Sequence, residues 1–124
     1  MEIRELIKEC HRNSKEKGFW QENIELLKSN LEVNKMSFIM SKELLLIISE
    51  IGEALEALRN NKLTENINNF YDFESEIKDT FEDELADVCI RIFDICGFFG
   101  IDLQKHIELK MDYNSKRGYL HNKL

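Results

Sequence analysis

The stretch LLLIISEIGEALEAL, residues 44–58, decides how the chain is read. At about 100° of rotation per residue, Leu44, Ile47, Ile48, Ile51, Leu55 and Leu58 fall within about 100° of one another, which predicts an amphipathic helix with this stripe turned to the core. Glu50, Glu53 and Glu56 lie off it. Leu46, Glu50, Glu53 and Ala57, spaced i, i+4, i+7 and i+11, form a second stripe that is apolar or small at its ends and acidic in its middle. A solvated face is seldom built that way. The pattern expects Glu50 and Glu53 in a crowded, partly enclosed space where they need a counter-charge; Glu56 sits further round and is peripheral.

A second helix repeats the construction. In FEDELADVCIRIFDICGFF, residues 81–99, Phe81, Leu85, Val88, Ile92, Ile95 and Phe99 make the expected core stripe, and Glu84, Asp87, Arg91, Asp94 and Phe98 run beside it. Two helices of one bundle then offer Glu50 with Glu53 and Glu84 with Asp87, each pair one turn apart and aimed at a common space. An all-oxygen set of this kind favours hard cations, so Mg2+ or Mn2+ is expected, while zinc would call for suitably spaced His and Cys. Spacing alone is weak support. With 24 acids in 124 residues, pairs at i, i+3 arise by chance, as Glu2 with Glu5 and Glu22 with Glu25 show.

The last helical stretch, DLQKHIELKMDYNSKR, adds a complementary feature. Leu103 and Ile107 start an inward stripe that continues as Lys110, Asn114 and Arg117. These side chains can snorkel at the edge of a bundle. Beside an acidic metal nest they read as phosphate ligands, because Lys and Arg neutralise phosphoryl oxygens and Asn donates a directional hydrogen bond.

Composition fits one all-α domain over residues 1–124: 43% hydrophobic and 33% charged residues, no Pro and five Gly favour long helices. A net charge of −7 argues against nucleic acid or an anionic membrane as the main partner. No apolar run is long enough to cross a bilayer, and the opening MEIRELIKEC is unlike a leader, so a cytoplasmic protein is expected. Cys89 and Cys96, seven apart, read as small core residues of a reducing compartment.

Helix one is expected to stop at Gly18, followed by a weak helical segment over 22–35, a long helix from Ser41 or a few residues earlier to about Asn60, a polar loop, a helix over about 75–98 ending at Gly97 or Gly100, and a last one capped by Asp102 with Gly118 beyond it. Ala86, Ile90 and Phe93 lie away from the core stripe of their helix and call for a second subunit, predicting a dimer.

The segments SEIGEALEALR, HRNSKEKGFW and FEDELADVCIRIFDICGFFGIDLQKHIELKMDYNSKR resemble the MazG-like branch of the all-α nucleoside triphosphate pyrophosphohydrolases. That family carries E-x-x-E on one helix and E-x-x-D on the next, matched here by Glu50, Glu53, Glu84 and Asp87. The resemblance implies a four-helix-type bundle, assembled as a homodimer or dimer of dimers, that hydrolyses NTP or dNTP to NMP and pyrophosphate with Mg2+. It implies those four carboxylates as metal ligands and Lys110, Asn114 and Arg117 as triphosphate ligands, with an activated water attacking the α-phosphorus and Glu53 or Glu50 as base. Trp20 is a candidate for stacking on the nucleobase, with packing alongside Phe19 as the favoured reading. His11 and His106 are read as structural or exposed. The chain departs from the family at Gly118, where Pro is common, and in its HNK from His121. A nucleotide-binding or helical interaction module of the same fold is the alternative; a di-iron redox bundle would need Glu-x-x-His pairs that these helices lack.

Overall fold

Four left-handed backbone positions and four side-chain caps divide the described residues into six helices. The computed structural model describes residues 2–117, with α1 at Ile3–Glu16, α2 at Gln21–Lys28, α3 at Lys35–Arg59, α4 at Phe73–Glu76, α5 at Phe81–Phe99 and α6 at Leu103–Lys116; no strand occurs among the described residues. Gly18 and Gly100 take left-handed φ of 80° and 67°, where a Cβ would be strained, and stop α1 and α5 as expected. The Asp102 carboxylate accepts from the Lys105 N–H at 3.2 Å and starts α6. Gly118 and His121 lie outside the described residues.

Two boundaries differ from expectation. Helix α3 starts six residues before Ser41, because Asn34 is its cap and accepts from the Ser37 N–H at 3.1 Å. The helix expected over 75–98 is broken: α4 ends at Glu76, Asp79 takes a left-handed φ of 65°, and Thr80 caps α5 by accepting from the Asp83 N–H. The loop between α3 and α5 is tied down where the Phe81 N–H donates to the Lys62 carbonyl at 2.7 Å.

Helix α5 lies between α3 and α1, which pack along its two sides, while α2 leans on α3 and α6 on α1. Contact with α1 is close at Gly97: a Cβ there would sit 2.5 Å from the His11 Cβ. On α3, whose main packing partner is α5, the buried residues are Ile39, Ile47, Ala54 and Ala57.

The stripe expected to be the core of α3 is mostly exposed. Ile47 alone of that set is buried; Leu44, Ile48, Ile51, Leu55 and Leu58 are 46–61% exposed. The buried arc of α3 is turned about 100° from the centre of the apolar stripe, so the acidic side meets α5 and the apolar side is left outward. On α5, too, Leu85 is exposed and the rest of the expected stripe is half-buried, whereas Glu84 and Cys96 are buried; Cys89 is exposed, not core. No helix among the described residues is long and apolar enough to cross a membrane.

Candidate metal centre

The turn of α3 that brings Ala54 and Ala57 against α5 also brings Glu50 to face Glu84 and Asp87. One carboxylate oxygen from each of the three lies within 4.8 Å of the others. Ligand oxygens on opposite sides of one Mg2+ stand about 4.2 Å apart, twice a bond of about 2.1 Å, so small side-chain rotations would seat all three on one ion. Glu84 is 5% exposed, and its Oε2 has no hydrogen-bond partner. A buried, unmatched carboxylate oxygen is costly unless a cation completes it.

The electrostatics agree. Burial, then the charge of Glu53 and a hydrogen bond to it, push the Glu84 carboxyl up to about 7. Burial and the charges of Asp83 and Glu50 raise Asp87 as well, against the pull of Arg91. Glu53 itself is exposed and stands outside the close trio, though within reach of Glu84. Arg91 is the counter-charge at hand: its Nε donates to Glu50 Oε1 at 2.7 Å.

Glu50 and Asp87 open onto a pocket of about 630 Å³ walled by α1, α3 and α5, with Asn13, Lys17, Arg91 and Asp94 also on its lining. That volume suits a small-molecule ligand. Comparison with protein-family models, curated proteins and solved structures gave no match.

At its far side the pocket rests on an ordered aromatic cluster. Asp94 Oδ1 accepts from Trp20 Nε1 at 2.8 Å and from His11 Nδ1 at 2.9 Å, and Trp20 stacks on Phe98 with ring centroids 4.0 Å apart and planes 6° from parallel. Trp20 is 2% exposed. It packs here, the favoured reading of this residue, with its ring stacked on Phe98; Phe19, read with it as packing, is exposed. His11 is structural and His106 exposed.

The expected phosphate ligands stand apart from this pocket. Lys110 and Asn114 are exposed on α6, and none of Lys110, Asn114 and Arg117 is on the pocket lining. Lys110 and Arg117 each sit 5.1 Å from the centre of the Tyr113 ring. Sequence reasoning found Glu50, Glu84 and Asp87 by spacing but missed the pairing of Arg91 with Glu50 and of Asp94 with His11 and Trp20, contacts between residues 41, 83 and 74 positions apart that no local pattern marks.

Proposed function

We propose that the chain is a Mg2+-dependent nucleoside triphosphate pyrophosphohydrolase, converting NTP or dNTP and water to NMP and pyrophosphate. The observation that carries this reading is the convergence of Glu50, Glu84 and Asp87, with a buried unmatched Glu84 oxygen, beside a pocket of ligand size. Glu50, Glu84 and Asp87 would hold the cation, with Glu53 joining them by a rotation of its exposed side chain. The bound ion supplies neutralisation of the triphosphate and an activated water for attack on the α-phosphorus. Glu53, beside Glu84, would accept a proton from the attacking water. No Ser, Cys or Lys is paired with a base in the pocket, which supports water rather than a side chain as nucleophile.

The protein works as a homodimer in this reading. Support comes from the outward apolar side of α3, where Leu44, Ile48, Ile51, Leu55 and Leu58 form an exposed ridge of large apolar side chains, the kind of surface that marks an interaction site. Pairing two such ridges would bring α3 and α5 of each copy together as four helices.

The test is separation of products after incubating the protein with a panel of ribo- and deoxyribonucleoside triphosphates and Mg2+, alongside Glu50→Gln and Asp87→Asn. Equal NMP and pyrophosphate, abolished by chelator and by either substitution, is the expected result. NDP with phosphate would overturn the assignment. Nucleotide binding with no product would instead favour a binding module, a reading to which the distance of the α6 cations from the pocket lends weight.

A further inference from the structure

The pocket contains a cation in an unusual position. Arg91 lies one helical turn beyond Asp87 on α5, and it is the only residue that forms an ion pair with a member of the acidic trio among the described residues. Its guanidinium engages Glu50 through Nε alone, and its two terminal nitrogens make no hydrogen bond among the described residues. The side chain is 40% exposed and lines the pocket, whereas its partner Glu50 is only 14% exposed. Arg91 thus neutralises a half-buried carboxylate with one nitrogen while two donors of its fork stay available to the pocket.

We propose that Arg91 is a phosphate ligand that exchanges partners: it holds Glu50 while the site lacks a divalent ion, and turns its fork to the phosphate chain when the ion takes Glu50. The assignment rests on the metal-dependent reading above and adds a residue to it. Two cations on one carboxylate repel each other at close range, so occupation of Glu50 by the ion releases the guanidinium. The released group lies one turn along the helix from Asp87, and both residues line the same pocket, so a phosphate group held beside Asp87 would be within the side chain's reach. Its planar fork matches two phosphoryl oxygens in a way an ammonium cannot. Lys17, at the C-terminal end of α1, adds a second cation to the pocket lining, so the chain's own pocket holds anion ligands without α6.

Binding, not turnover, tests this. Calorimetry would measure Mn2+ alone, and then inorganic pyrophosphate in the presence of Mn2+, on the unsubstituted chain, Arg91→Gln and Arg91→Lys, with helicity checked for each. The exchange expects Arg91→Gln to bind Mn2+ more tightly, since a competing cation is gone, and to bind pyrophosphate at least about tenfold more weakly. Arg91→Lys should fall between the two in pyrophosphate affinity, keeping the charge and losing the fork. Weaker Mn2+ binding in Arg91→Gln would overturn the exchange by making Arg91 a residue that only positions Glu50. Unchanged pyrophosphate affinity in that variant would overturn it while leaving the metal reading intact. Failure of the unsubstituted chain to bind Mn2+ would overturn the metal reading itself, and the exchange with it.

Discussion

Along its contact with α1, helix α5 presents Asp94 to two donors, and along its contact with α3 it presents Glu84 and Asp87 to other acids. Asp94 takes hydrogen bonds from His11 and Trp20 on one oxygen, in a cluster closed by the Trp20–Phe98 stack. Glu84 is buried among core residues and leaves its Oε2 unmatched. Three turns of one helix therefore separate an acid that completes the fold from an acid the fold leaves incomplete. The difference separates structural from binding carboxylates: the first has its donors within the chain, the second needs one from outside.

Removing each acid should have opposite consequences. Asp94→Ala strands the Trp20 N–H and the His11 N–H in a buried cluster, and a loss of about 3 kcal/mol in urea-unfolding free energy is expected. Glu84→Gln should leave the metal-free chain as stable or more stable at pH 8, because it removes a buried charge, while Mn2+ binding disappears. If both variants lost stability equally, the contrast between the two contacts would fail.

pH sharpens it next. Between pH 4.5 and about 7 the folded chain keeps a proton on Glu84 that the unfolded chain has released, so stability of the metal-free protein should fall as pH rises through that window and level off above it. The full shift corresponds to about 3 kcal/mol. Chemical denaturation at pH 5 and pH 8 measures it; Glu84→Gln should flatten the slope, and Mg2+ should restore stability at the upper pH.

A smaller effect probes the α1 side. Gly97→Ala places a methyl against His11 Cβ and Cγ and near the Ile7 carbonyl, and about 2 kcal/mol should be lost in thermal unfolding, with Mn2+ affinity unchanged. The smallest effect belongs to the outward ridge of α3. Ile48→Glu should shift the unfolding free energy of a separated chain by within about 0.5 kcal/mol yet lower the mass seen by light scattering from dimer to monomer; a monomeric mass in the unsubstituted protein would remove the dimer from the proposal.

Helix ends were legible in the sequence where one residue settles the backbone. Gly18, Gly100 and Asp102 act locally, through left-handed φ or a cap, and each stands where the pattern puts it. The inward side of α3 was not legible, because periodicity reveals a stripe without saying what covers it. Leu44, Ile48 and Leu55 have the same spacing whether they meet α5 or a second chain, and the small Ala54 and Ala57, weak in any hydropathy count, set the contact. The start of α3 misled for a related reason: Asn34 and Ser41 are both sound caps, and the choice depends on whether residues 35–40 stay helical. For the site, i, i+3 spacing picked out Glu50, Glu84 and Asp87, but whether carboxylates meet across helices depends on the rotation of α3, which is tertiary information.

Trp20 is the sole tryptophan of the chain, so the molecule carries its own optical gauge. Its indole is shut away from solvent, bonded through Nε1 to a carboxylate on the pocket lining and stacked on Phe98. Emission from a ring so placed should be blue-shifted and out of reach of iodide, and it should redden when the α1–α5 contact opens. Events at the acidic end and at the aromatic end of the pocket can thus be followed separately in one cuvette: Mn2+ by its own paramagnetism, and the wall behind it by fluorescence, with no label attached.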